Sequence, residues 1–300
     1  MHYNSSLPPI DWKRADLLIE LALSEDLEER GDTTTNAVIP QDLEAEAVFL
    51  AKQDLVCAGL PVAERLFEKL DPAVAFFPLV KEGEVCKKGT ILAKVRGKAG
   101  TLLTGERTAL NFLQRLSGVA TSSRYYQSLA GDTFCRILDT RKTTPGWRNL
   151  EKYAVAAGGA FNHRIGLYDR IMIKDNHREL AGLEGEHGIA RSVERARKMY
   201  PDLEVEVEID SLSELAEAVD SGAEYILLDN MDDETMRKAV EYTAGRAKLE
   251  ASGGITAERI PSVAATGVDF ISCGALTHSV KSCDISMDIV IPEQTTGGCR

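Results

Sequence analysis

LEVEVEIDSLSELAEAVDSGAEYILLDNMDDETMRKAVEYTAGRAKLEASGG, residues 203–254, is the stretch on which the fold turns. It holds three short apolar runs, LEVEVEID (203–210), YILLDN (225–230) and KLEASGG (248–254), each ending in polar residues or glycine. Between them, Ser211–Ser221 and Asp232–Thr243 carry helical spacing. A fourth run, FISCGAL (270–276), keeps the spacing of about 22 residues from one run to the next. Strand and helix alternating at this period read as parallel βα units. Upstream, CRILDT (135–140) and RIMIKDN (170–176) extend the series. Polar residues gather at the C-terminal ends of the runs, where β/α barrels carry their sites. A doubly wound open sheet is the alternative, but no GxGxxG follows the first run and polar ends recur at every strand. The expectation is an α/β chain with an incomplete parallel β/α barrel over residues 117–278.

Before residue 117 the rhythm differs, and the reading is an α+β open-faced sandwich over 1–116. Asp11 is placed to cap a helix carrying Ala15, Leu18, Ile19 and Ala22 on one face. Leu43, Ala45, Ala47 and Phe49 alternate as a half-buried strand does. Pro61 starts a second helix. The stretch 80–103, with glycines at 83, 89, 97 and 100, reads as a hairpin. CDISMDIVI (283–291) is expected to return as a strand, so that 279–300 joins the first domain.

The formal net charge is −12, yet residues 139–178 hold eight Arg/Lys against four Asp/Glu. These forty residues carry +4 and the remainder −16. Basic residues concentrated against the global charge point to an anionic ligand. The acidic whole argues against nucleic acid as partner. Nothing resembles a membrane span, and the start lacks the apolar run of a signal peptide, so a cytoplasmic protein is expected. The six cysteines (57, 86, 135, 273, 283, 299) form no CxxC pair and read as reduced thiols.

Two glycine-bearing turns follow late strands: Ser252-Gly253-Gly254 and Ser272-Cys273-Gly274-Ala275. Glycines there let backbone N–H groups approach a phosphate, although a tight turn is the plainer reading of each alone. Glu204, Glu206 and Glu208 alternate with valine and so face one way, inward if the sheet closes. Glu208 and Asp229, at strand ends, suit Mg²⁺ or sugar hydroxyls, with a helix cap as the alternative for Asp229. Arg148, Arg170 and Arg178 read as surface residues or ion-pair partners, His177 as a cap or network residue and His278 as structural.

Taken together, EDLEERGDTTT (25–35), GERTALNFLQRLSGVAT (105–121), DTRKTTPG, EKYAV, NHRIGL, IKDNH, EVEID, LLDNM, EASGGIT and CGALTHS occur in the order of one known family. The chain resembles the quinolinate phosphoribosyltransferases over essentially its whole length. Departures are Trp147, Ala160 and Cys273, none of which removes a charged residue.

The resemblance implies transfer of phosphoribose from phosphoribosyl pyrophosphate to quinolinate with loss of CO₂, giving nicotinate mononucleotide and pyrophosphate for NAD synthesis. It implies a quinolinate pocket of Thr140, Arg141, Lys142, His163, Arg164 and Lys174, with Arg107 reaching in from a partner subunit. Arginine forks match adjacent carboxylates. Phosphoribosyl pyrophosphate would meet Lys142, Glu208, Asp229, Ser252, Gly253, Gly254, Cys273, Gly274 and Ala275. Lys142, Lys174, Glu208 and Asp229 would carry the catalysis. Mg²⁺ would come with the pyrophosphate, near Glu208 and Asp229, directly or through substrate. A homodimer with shared sites follows, and stacking into hexamers is left open. A related transferase for another aromatic acid and a non-catalytic phosphosugar binder are the competing readings.

Overall fold

The computed structural model describes residues 7–183 and 185–290. Cys299 and the tail beyond 290 lie outside them. The described chain divides into two compact units, one of residues 7–122, 145–158 and 280–290, the other of 123–144 and 159–279.

The first unit begins with α1 (Trp12–Leu27), where the Asp11 carboxylate accepts the Arg14 N–H at 3.3 Å. α2 (Thr33–Val38) is capped by Asp32, which accepts from Thr35 N at 2.9 Å and Thr35 Oγ1 at 2.5 Å. β1 (Glu44–Ala51), β2 (Leu55–Val56), α3 (Leu60–Leu70), β3 (Ala75–Pro78), β4 (Val85–Cys86), β5 (Ile91–Lys98) and α4 (Ala99–Leu129) follow. β1 buries Ala47, Phe49 and Ala51, as its alternation predicts. Phe49 meets Phe67 of α3 edge-on at 6.3 Å between ring centroids, which seats the helix on the sheet.

The hairpin expected over 80–103 does not form. β4 pairs with β2, while both edges of β5 are taken by β1 and β3, and the chain enters a helix at Ala99. The boundary expected at 116/117 falls inside the unbroken α4; the compact units part at 122/123 in the same helix. The change of rhythm near 117 therefore marks a change of packing partner and not a linker.

The second unit carries β6 (Arg136–Leu138). The chain then lends α5 (Arg148–Ala157) to the first unit. There Glu151, fully buried, pairs with Arg115 at 2.7 Å, and Trp147 stacks on Phe112 at 4.8 Å. EKYAV is thus a packing segment, and Trp147 is accounted for by that ring contact.

Back in the second unit come β7 (Ile171–Ile173), α6 (Asp175–Leu180), α7 (Gly188–Met199), β8 (Val205–Ile209), α8 (Leu212–Asp220), β9 (Tyr225–Asp229) and α9 (Asp233–Thr243). β10 (Lys248–Ser252), a 3-10 turn, α10 (Ile260–Ala264), β11 (Phe270–Ser272) and α11 (Ala275–His278) complete it. The sheet order is β6-β11-β10-β9-β8-β7, all parallel. The first strand lies beside the last, which is barrel order; a doubly wound sheet would reverse direction from its middle. Phe161 forms a parallel bridge to Leu138 on the other edge of β6. The ladder is therefore open only between Phe161 and β7, and the barrel is incomplete.

β12 (Ile285–Val290) then pairs antiparallel with β1, so the chain returns to the first sheet as expected. The return crosses α4 at Gly118, where an added Cβ would lie 2.4 Å from the Lys281 carbonyl. Gly118→Ala is expected to cost about 1–3 kcal/mol through this overlap. A melting temperature several degrees lower by calorimetry, with the secondary structure unchanged, is the outcome that checks it.

Candidate active site

The C-terminal ends of the barrel strands enclose a cavity of about 920 Å³. Every residue expected at the site borders it except Arg107, which lies exposed on α4 in the first unit. The two groups that the sequence places far apart, the basic segment and the late glycine turns, are brought to one opening by the barrel order.

His163 and Arg164 are set by Asp139 at the end of β6. Its buried carboxylate accepts the His163 N–H and the Asn162 amide, each at 2.8 Å. Arg164 is 7% exposed and donates from Nη1 to the Arg170 carbonyl at 3.0 Å, which ties it across the open seam. Burial, and next the Arg141 charge, hold its guanidinium below its ordinary pKa, and it stays charged because that value starts so high. Such packed cations, drawn together against their mutual repulsion, gain from an anion between them.

Lys174 ends β7 and its ammonium pairs with the Glu208 carboxylate. Its backbone N–H donates to His177 Nδ1 at 3.0 Å, so His177 caps α6 and fixes the lysine's backbone. Arg178 pairs with Glu214 at 2.5 Å. Asp229 faces the cavity and accepts from Asn230 Nδ2 at 2.8 Å, while the cap of α9 is Asp232. Glu208 and Asp229 thus stand at the ends of adjacent strands with their carboxylates toward one opening.

The glycine turns have a steric requirement. Gly253 holds φ +94°, and a Cβ there would meet Asn230 Oδ1 at 2.2 Å. Gly254, at φ +58°, has open space where its Cβ would be. A Cβ on Gly274 would stand 2.9 Å from His278 Nε2 and 3.1 Å from Lys142 Cδ. Bare backbone therefore lines this side of the cavity, the surface that an anion's oxygens need. Asn230 itself takes φ +54°, which asparagine tolerates, to keep its N–H on the Ser252 carbonyl at 3.0 Å.

Sequence reasoning missed four residues around this site: Asp139, Asn230, Glu250 and the full burial of Arg170. Glu250 sits three residues before Gly253 at a position that alternation turns inward, a signal as strong as the one that singled out Glu208. Of the two readings of Arg170, the ion pair is the one that holds: it is 1% exposed, with Nη1 3.3 Å from Glu206 and its guanidinium 3.9 Å over the Tyr225 ring. Burial pushes the Cys273 thiol up to about 12, which leaves it uncharged beside the cavity.

Among known proteins, the quinolinate phosphoribosyl transferase N-terminal domain matches residues 32–117 and the C-terminal domain matches residues 119–288. A probable nicotinate-nucleotide pyrophosphorylase [carboxylating] of Bacillus subtilis (strain 168) is 43% identical over 270 residues, 90% of this chain and 91% of that protein. A chloroplastic nicotinate-nucleotide pyrophosphorylase [carboxylating] of Arabidopsis thaliana is 43% identical over 291 residues, 91% of this chain and 82% of that one. The crystal structure of NadC from Streptococcus pyogenes superposes with a TM-score of 0.89 at 38% identity, covering 94% of this chain and 99% of that one. With both domains matched in order and relatives of 43% identity over most of both chains, the chain belongs to the quinolinate phosphoribosyl transferase family.

Proposed function

We infer that the chain transfers phosphoribose from phosphoribosyl pyrophosphate to the ring nitrogen of quinolinate with loss of CO₂, yielding nicotinate mononucleotide and pyrophosphate in NAD biosynthesis. One observation carries the reading: Arg141, His163, Arg164 and Lys174 border the same cavity as the side-chain-free turns at Gly253–Gly254 and Gly274. The cations suit two adjacent carboxylates, and the bare backbone suits a 5′-phosphate.

The pyridine nitrogen has a free lone pair and needs no base. Catalysis then rests on holding that nitrogen against the anomeric carbon and on stabilising charge as pyrophosphate departs. Lys174 leaves Glu208 for a substrate carboxylate, and the freed Glu208, with Asp229, faces the ribosyl centre as it becomes cationic. Lys142, whose carbonyl accepts from Thr277 Oγ1 at 2.9 Å, stands near the leaving pyrophosphate. Once the ring nitrogen is ribosylated and positive, the adjacent carbon can release CO₂ because the electron pair left on it is stabilised, and that carbon then takes a proton from water to give the product.

The carboxylates of Glu208 and Asp229 are hard oxygen donors of the kind Mg²⁺ prefers. Glu208 is engaged by Lys174, so Asp229 and the pyrophosphate oxygens would hold the ion first. When bound, Mg²⁺ neutralises charge on the departing pyrophosphate. Arg107 of the partner subunit would complete the acid pocket. The assembly is accordingly a homodimer at least. No described helix is long and apolar enough to cross a membrane, and we place the enzyme in the cytoplasm.

With both substrates and Mg²⁺, CO₂ and nicotinate mononucleotide are expected in equal amounts; activity with nicotinate and none with quinolinate overturns the reading. Arg164→Ala is expected to lose about 2–5 kcal/mol of binding to the acid, a drop in kcat/KM for quinolinate of about thirtyfold or more. Gly253→Ala should instead raise KM for phosphoribosyl pyrophosphate and spare that for quinolinate, and steady-state kinetics in both substrates separate the two. Arg107→Ala and Arg164→Ala homodimers are each expected to be nearly inactive. Mixed and re-associated, they should recover about a quarter of native activity through the one intact site of each hybrid; hybrids without activity would exclude a shared site.

A further inference from the structure

The floor of the cavity carries charges that the mechanism above does not use. Glu206 of β8 and Glu250 of β10 are 0% and 1% exposed. His163 Nε2 lies 3.2 Å from Glu206 Oε2 and 3.5 Å from Glu250 Oε2, and Arg170 Nη1 lies 3.3 Å from the same Glu206 oxygen. Two carboxylates thus lie close together out of water, with the Arg170 guanidinium on Glu206. A second carboxylate ionised beside the first in the interior is costly, and a proton on Glu250 removes that cost.

We propose that Glu250, facing the His163 Nε2–H, takes up one proton from solvent when the two-carboxylate acid binds, and that the bound acid locks this proton in the cavity floor. The inference rests on the reading of His163 and Arg164 as the acid's pocket. Those residues border the cavity on one side and the buried cluster on the other. An acid seated on them adds negative charge to the cavity that Glu250 also lines, and that charge favours the protonated carboxyl.

Every group facing the pair acts in a consistent direction. Burial, and then the Glu206 charge, push the Glu250 carboxyl up to about 7. Burial pulls the His163 imidazole down, but the Glu250 and Glu206 carboxylates outweigh it and its pKa is raised. Burial likewise raises Glu206, yet its contacts to His163 and Arg170 bring it below the ordinary carboxylate range, so it remains the permanent anion. Arg170, from the start of β7, and Arg164 are the fixed cations; from β11, Ser272 carries no charge and the Cys273 thiol stays neutral. His163 Nδ1 accepts the Arg164 N–H at 2.7 Å, so the ring keeps its one N–H at Nε2, aimed at the two carboxylates, and the proton taken up with the acid lies on Glu250.

The sign follows. Below about pH 7 the free protein already holds the proton, and binding takes up little. Above it Glu250 has lost the proton, a second buried anion opposes the acid, and binding must restore it. Affinity for the acid then falls by up to about tenfold per pH unit, the limit for one linked proton.

The test is calorimetry of quinolinate binding to the full-length protein, between about pH 6 and pH 8.5, in buffers of different ionisation enthalpy. Native protein is expected to take up a small fraction of a proton at the acid end and close to one at the alkaline end, with Kd rising in parallel. Glu250→Gln, which keeps the shape and removes the titration, should show little uptake and a flatter Kd profile. No uptake by the native protein at any pH overturns the proposal, and that measurement needs no variant. Uptake by Glu250→Gln equal to the native value also overturns it. So does a stoichiometric metal ion on the purified native protein that Glu250→Gln lacks, since a cation would then supply the missing charge. Arg164→Ala separates the two levels: if it binds quinolinate normally, the pocket reading itself is wrong; if it loses binding while native protein shows no uptake, only the proton is.

Discussion

Glu206 is a full negative charge in the middle of a barrel strand, and compensating it organises the catalytic unit. A carboxylate with no exposure must be met by cations and hydrogen bonds. Its partners, His163 and Arg170, come from the two sides of the seam where the backbone ladder is open, between Phe161 and β7. The side chains across that seam therefore do what strand hydrogen bonds do elsewhere in the barrel. Arg164 on the Arg170 carbonyl and Asp139 on the 162–163 backbone continue the same seam. Closing the barrel and positioning the acid pocket are one set of interactions.

The rest of the cavity follows from separating charge by sign. Cations that would bind substrate are either packed against backbone, as Arg164 is, or held in reserve by a carboxylate, as Lys174 is by Glu208. An ion pair of this kind keeps each partner from binding the wrong ion and can be exchanged for substrate at little net electrostatic cost. The turns proposed for the phosphate carry no charged side chain of their own. It relies on glycines at 253, 254 and 274, whose missing side chains leave backbone N–H groups within reach.

The family resemblance ran through segments of two physical kinds. NHRIGL, IKDNH and EASGGIT line the cavity. EKYAV and much of GERTALNFLQRLSGVAT pack the first unit, where Arg115 meets Glu151 and Gly118 admits the returning tail. Arg115, two turns from Arg107 on the same helix, is thereby a structural cation. A motif alone does not distinguish these cases, because a buried ion pair and a ligand-binding cation use the same residue types.

The sequence by itself determined the period of the βα units, the inward face of β8 and the cap at Asp11. These are properties of alternation, spacing and local hydrogen bonding, legible over a few residues. It also placed the return of the tail, through an alternating run that needed a sheet edge. Tertiary structure alone decided that β6 lies beside β11, that β4 and β5 part to different neighbours, and that α5 leaves the barrel for the first unit. It also decided that Glu206, Glu250, His163 and Arg170 meet. Such contacts join residues dozens of positions apart, and their energies depend on burial, which only the closed barrel creates.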